Sequence, residues 1–312
     1  MPQATVPVVK HLNGDTSWLI SFPVLTQDRE DGLFNIIIDP WLTGPQTDYY
    51  SWFSRQSHVI KACVDHISEL NTRIDAVVLS HEWSDHTHRA TLLEIDAKTP
   101  VYATKNAADL VRSWNHFSTV HTIEDLKPGA HWSTTHFPGL PSCLGISRIS
   151  STSFEIVSYY HVAICIAYAS PDVTQENVNK SQASAVLYSP HGVHAPSLDR
   201  LPESGLEVLA LMHGLHQVWN PPFLGGMLNL GGLNAVRSAR ATKARYWIGT
   251  HDEVKKGSGL VSYLLRRKVW TVEEALEEEE KKERGKGAGA KETTKVGLKY
   301  YGLGSGESLR LE

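Results

Sequence analysis

The sequence predicts a layered α/β protein, and three features carry that prediction. Residues 75–116 alternate between strand and helix: Asp75–Leu79 reads as a buried strand, Thr87–Asp96 as a short helix and Pro100–Thr104 as a strand. Asn106–His116 follows as a helix with Ala107, Leu110, Val111 and Trp114 at helical spacing. The segments on either side read as runs of short strands. Histidine also recurs at the carboxyl ends of four short apolar runs, where ligands gather in layered α/β folds.

The 312 residues, 41% hydrophobic and 21% charged, have an ordinary globular composition, enough for one large domain or two small ones. Thirty basic against 34 acidic residues, a formal net charge of -4, gives no basic excess to hold nucleic acid or an anionic membrane. Cys63, Cys143 and Cys165 are odd in number, far apart and outside any CxxC pattern. They read as small core residues in a reducing compartment. Met1–Lys10 lacks the basic and apolar regions of a signal peptide, and Phe154–Ala169 is too short to span a bilayer. These features together predict a cytoplasmic protein acting on a small molecule, with no membrane or nucleic-acid partner.

In chain order, Val6–Lys10 and Ser17–Leu25 read as strands around the turn Asn13-Gly14-Asp15. Phe34–Ile38 is a third strand, ended by Asp39-Pro40-Trp41. The loop with Tyr49, Tyr50, Trp52 and Phe53 suits either a packed surface or a pocket wall. His58–Leu70 has the spacing of an amphipathic helix. After residue 116 come short strands at Thr119–Ile123, His131–Thr135, Gly145–Ser150 and Ile156–Tyr168. Ala185–Tyr188 then runs into His191, Leu206–Leu211 into His213 and His216, and Arg245–Ile248 into His251, with a helix within Asn229–Ala244. Domain organisation follows: one domain over 1–270, a charged and Gly/Ala-rich insert over 271–293, and a closing β-hairpin over 294–312.

The chemistry concentrates at Ser80-His81-Glu82-Trp83-Ser84-Asp85-His86. Three potential metal ligands fall within six residues, just past the strand Asp75–Leu79. Imidazole nitrogen and carboxylate oxygen suit zinc, and iron or manganese less selectively.

This order of elements resembles the metallo-β-lactamase superfamily over roughly residues 5–265. The opening strands ending in Asp39-Pro40-Trp41 look like the family's first meander. Residues 81–86 look like its HxHxDH signature, and His251 like its last histidine ligand. The resemblance implies an αββα four-layer sandwich with a metal site on one edge of its two sheets. Two departures stand out. Trp83 replaces a signature histidine, and indole has no lone pair to give a metal. His191 stands near the place of a bridging Asp. For the remaining histidine of the family's first site, His136 and His161 are both candidates.

Half of a two-metal site is thereby lost. The resemblance implies one ion, zinc first, held by Asp85, His86 and His251, with His81 and His191 as further ligands. His191 could instead stand beside the ion. Trp83, His136, His161, His213 and His216 would line the pocket or support the ligands. The activity implied is hydrolysis of a small ester, lactone, thioester or amide by a metal-bound hydroxide, with Asp85 and His191 in catalytic roles. The alternative keeps the fold and loses hydrolysis, leaving a lyase, an isomerase or a ligand-binding protein.

Overall fold

The computed structural model describes residues 5–25, 31–150, 159–174, 176–285 and 299–312. Two sheets form its centre. One has seven strands, in the order Ser308–Arg310, Val8–His11, Trp18–Pro23, Leu33–Ile38, Ala76–Leu79, Val101–Ala103 and Val120–Thr122. The other has six, in the order Tyr300–Tyr301, Tyr246–Ile248, Leu206–His213, Ala183–Ser189, Ala163–Tyr168 and Leu144–Ile149.

Period-two alternation sorts side chains into layers. On Leu33–Ile38, Ile36 and Ile38 face the second sheet and Ile37 faces outward; on Ala76–Leu79, Ala76 and Val78 face in and Val77 and Leu79 out. The inner faces meet Ile146, Ile164, Ile166, Val186 and Tyr188 in the largest apolar cluster. Outside the first sheet, Ala107, Ala108 and Val111 of helix Lys105–Ser113 cover Val77, Leu79 and Val101. Outside the second, helix Gly231–Thr242 brings Ala235 and Val236 onto Trp247, and Trp270 and Ala275 complete that layer. The architecture is an αββα sandwich, as the resemblance implies.

Several expectations change. His58–Leu70 is not a helix: a short strand, Ser54–Ser57, precedes it and one 3-10 turn covers Ile67–Leu70. Its amides are taken by distant partners. The Glu253 carboxylate accepts from Val59 and Ile60, and Leu12 O accepts from Cys63. Residues 131–135 are a 3-10 turn rather than a strand, because the His131 ring accepts from Ser133 N and starts a helical turn. Helix 87–96 shortens to Arg89–Leu92. Strand 156–168 begins at Ala163, and residues 151–158 lie outside the described residues.

The final strands do not form a hairpin with one another. Tyr300–Tyr301 pairs in parallel with Tyr246–Ile248, and Ser308–Arg310 pairs antiparallel with Val8–His11. Each closes an edge of a different sheet. The charged run forms helix Val272–Gly285, and it is docked: Ala275 and Glu279 are buried, and Arg237 forks onto the Glu279 carboxylate. The Gly/Ala-rich part of the insert lies outside the described residues. Cys143 and Cys165 are buried, Cys63 is half-buried, and all three are free thiols. Among the described residues, no helix is long and apolar enough to cross a membrane.

Candidate metal centre

Parallel pairing places the relevant strand ends on one edge. Leu33–Ile38 and Ala76–Leu79 run parallel and deliver Asp39, then Ser80 and His81. In the second sheet Ala183–Ser189, Leu206–His213 and Tyr246–Ile248 run parallel and deliver His191, His213 and His251. The turn after Val8–His11 adds Asp15.

Two overlapping donor groups result. His81, His86 and His191 offer ligand atoms within 4.8 Å of one another, as do Asp85, His86 and His251. His86 belongs to both. Its Nε2 lies 3.0 Å from His191 Nε2 and 3.7 Å from Asp85 Oδ1. His251 Nε2 lies 3.8 Å from Asp85 Oδ2.

The opposite nitrogen of each ring is held. His86 Nδ1 is 2.7 Å from Asp39 Oδ2, His191 Nδ1 is 2.9 Å from Asn229 Oδ1, and His251 Nδ1 is 3.1 Å from Asp15 Oδ1. These oxygens accept, so each ring carries a proton on Nδ1 and directs Nε2 inward. His86 Nε2 and His191 Nε2 then meet at hydrogen-bond distance, where either a proton on His86 or a shared cation satisfies both nitrogens. Acceptors behind ligating imidazoles have this arrangement.

Charge balance points the same way. Asp15, Asp39 and Asp85 are buried together, and the nearest fixed cation is Lys255, its side chain 5% exposed. Lys255 Nζ is 2.8 Å from Asp15 Oδ2 and 3.1 Å from Asp85 Oδ2. Three buried carboxylates face one ammonium and the His86 ring, an excess of acidic groups that suits a cation. Burial opposes ionisation of Asp15 and Asp85. Lys255 outweighs it, with His251 for Asp15 and with His86 and His251 for Asp85, and holds both below the usual carboxylate range. Burial likewise disfavours a protonated His86, but Asp85 and Asp39 prevail and raise its pKa. For His191 burial comes first and the neighbouring imidazoles add to it; for His251 burial prevails over Asp15. Both pKa values are lowered, so these rings are neutral donors. The donor group Asp85, His86 and His251 could therefore hold one divalent ion, with His191 beside it in the overlapping group.

His81 is more divided. Its ring lies 4.6 Å from His191, but its Nδ1 is 2.9 Å from Ser80 Oγ and its Nε2 3.2 Å from Tyr160 O. Tyr160 and Trp83 stack at 6.1 Å beside it, and Trp83 lines the neighbouring cavity.

The other predicted histidines do not join either donor group. His136 Nδ1 is 3.2 Å from Leu144 O. His161 packs 5.4 Å from His194. His213 has both nitrogens engaged, by Gly214 O and by the Asn234 amide, and burial lowers its pKa to about 4. His216 accepts from Arg267 at 2.8 Å. Asp15, Asn229 and Lys255 carry no local signal of this role in the sequence, and Asp39 reads there only as a strand end.

A cavity of about 300 Å³ opens against the centre. Asp85, His191, His251 and Lys255 form its polar floor. Tyr49, Phe53, Trp83, Phe223, Leu228, Val261 and Leu265 form apolar walls. The aromatic loop is thus partly a pocket wall: Tyr49 and Phe53 border the cavity, while Tyr50 and Trp52 are exposed outside it.

The fold and this edge-on cluster define a metallo-β-lactamase-like sandwich, and comparison with known proteins agrees. Residues 34–156 match the family model described as the beta-lactamase superfamily domain. An isothiocyanate hydrolase from Delia radicum gut bacteria is 15% identical, with 97% of this chain and 98% of that one covered, at a TM-score of 0.59. A possible metal-dependent hydrolase from Veillonella parvula is 13% identical, with 99% and 100% covered, at a TM-score of 0.54. The diiron β-hydroxylase CmlA from Streptomyces venezuelae is 14% identical, with all of this chain but 55% of that one covered, at a TM-score of 0.57. At such identities these structures share the fold. No curated protein matches the sequence. Residues 34–156 are thus similar to the beta-lactamase superfamily domain, and the chain shares its fold with these structures.

Proposed function

We propose that this protein is a metal-dependent hydrolase of a small ester, lactone, thioester or amide. The observation that carries the reading is the meeting of two overlapping donor groups with one cavity: Asp85 and His251 of one group and His191 of the other line it. A divalent ion there, zinc on the donor chemistry, would acidify a water and polarise a carbonyl. Asp85, at the cavity floor, would orient that water, and His191 would take its proton where its Nε2 is left free of the ion. Lys255 keeps Asp85 ionised and adds a fixed positive charge beside the reacting group. The apolar walls exclude bulk water and suit a small, fairly apolar substrate rather than nucleic acid. Two neighbours of the same fold are named as hydrolases, which supports the reading.

One ion fits better than two. His86 is common to both donor groups, Trp83 occupies a ligand's place, and Lys255 already engages Asp85 Oδ2.

Metal analysis of purified protein and a panel of esters, lactones, thioesters, amides and lactams test both points. The expected result is one equivalent per chain and chelator-sensitive turnover that Asp85→Ala abolishes. Two tightly bound equivalents overturn the single centre. No turnover on any panel member by metal-replete protein overturns hydrolysis and leaves a non-hydrolytic or ligand-binding role.

A further inference from the structure

Besides Lys255, a second cation, Arg267, borders the cavity, and its surroundings differ. Strand Arg266–Lys268 alternates: Arg266 and Lys268 are exposed, and Arg267 turns inward beside its cross-strand partner Val218, which also borders the cavity. Lys255 is matched by Asp15 and Asp85. Arg267 has no such match. Among the described residues, no carboxylate lies within 4.0 Å of its guanidinium. Its bonds run from Nη1 to neutral acceptors, His216 Nδ1 at 2.8 Å and Glu253 O at 3.2 Å.

The nearby acids are committed elsewhere. Glu253 accepts from Val59 N, Ile60 N and His58. Asp252 accepts from Leu215 N and His216 N. Asp48, on the cavity wall, accepts from Ser84 N and Oγ. Burial depresses the Arg267 pKa more than the acids around it restore it, so the guanidinium is short of countercharge. Its two Nη1 bonds hold the planar group in place, and the remaining N–H donors take no protein partner among the described residues. A half-buried guanidinium fixed on one side and unmatched on the other is arranged for a bidentate anion.

We propose that Arg267 anchors a carboxylate on the substrate, so that the ester, lactone, thioester or amide carries an anionic end. This rests on the hydrolytic reading of the centre. The carboxylate sits at Arg267 and the scissile carbonyl at the floor formed by Asp85, His191 and His251, with the apolar walls against the carbon chain between them.

A matched pair of esters, 4-nitrophenyl butyrate and the 4-nitrophenyl monoester of glutaric acid, tests the preference with metal-replete protein. Glutarate binding, followed by calorimetry, tests the anchor without turnover. Wild type should favour the anionic ester at least tenfold in kcat/KM. Arg267→Gln should bring the anionic-to-neutral ratio close to one and weaken glutarate at least tenfold. Arg267→Lys, which keeps the charge but not the fork, should fall between the two and serves if the Gln variant does not fold. Equal ratios in wild type and variants, or glutarate affinity untouched by both, overturn the anchor while leaving hydrolysis standing. Weakened glutarate with neither ester turned over keeps the anchor and removes the hydrolytic reading.

Discussion

Asp39 shows how much one residue can organise. It follows strand Leu33–Ile38 with a positive φ of 43°, a conformation a buried aspartate adopts at a cost of order 1–3 kcal/mol. Its carboxylate accepts from Ser80 N, Ser80 Oγ, His86 Nδ1 and Tyr188 OH. It thereby fixes the ring that belongs to both donor groups. Asp39→Asn would put an amide where His86 needs an acceptor. Metal affinity should fall about 10–100-fold, read by competition with a chromophoric chelator, and unchanged affinity would remove Asp39 from the support of the site. At this scale the sequence discloses candidate donors but not their partners. His81, Asp85, His86, His191 and His251 could be picked out because histidine and aspartate past an apolar strand carry a chemical signal. His213 carries the same signal, yet Gly214 O and Asn234 occupy its ring. Lys255 carried none, since its role comes from Asp85, 170 positions away, and Asp15, on the opening turn.

Strands were readable wherever one face is buried, because alternation such as Ile36-Ile37-Ile38 is a local pattern. The misread segment at 58–70 has real helical spacing, but Glu253 and Leu12 claim its amides from far along the chain, and periodicity holds no record of that. The loop after Ala183–Ser189 shows what such elements tolerate. Gly192, next to His191, has φ 93°, and a Cβ there would lie 2.8 Å from His213 Nε2 and 2.9 Å from Leu230 Cβ. Gly192→Ala should destabilise by about 1–3 kcal/mol through this clash and backbone strain. Because the loop carries His191, metal affinity should fall with it. Denaturant unfolding together with metal titration checks both, and a variant matching wild type in each would show that the loop yields freely.

For the whole molecule, buried histidines set the response to acid. Burial lowers His213 to about 4 from an ordinary 6.5. Between those values the unfolded chain takes the proton and the folded one refuses it, so stability is fully present above pH 6.5 and lost as pH falls toward 4. About 2.5 pH units at about 1.36 kcal/mol each is roughly 3 kcal/mol as an upper figure for this ring. His88 and His161, also at about 4, act in the same sense. His86, whose pKa is raised, acts in the opposite one. Urea unfolding of metal-free protein at pH 7 and pH 4.5 should show a clear loss at the lower pH, and equal or greater stability there would refute this account. The layer order itself was visible in advance through family-like motif order. The closing strands were not, because a hairpin and a two-sheet clasp ask the same alternation of a short segment.

That clasp bears on synthesis. A ribosome delivers residues in order, and strands Val8–His11 and Tyr246–Ile248 receive their outer partners only from residues 300–310. Until those emerge, each sheet of the nascent chain offers an open backbone edge with free amides and carbonyls, a template for another chain. Stalled or clipped products ending before residue 299 would therefore be open at both sheets at once, and prone to join one another edge to edge.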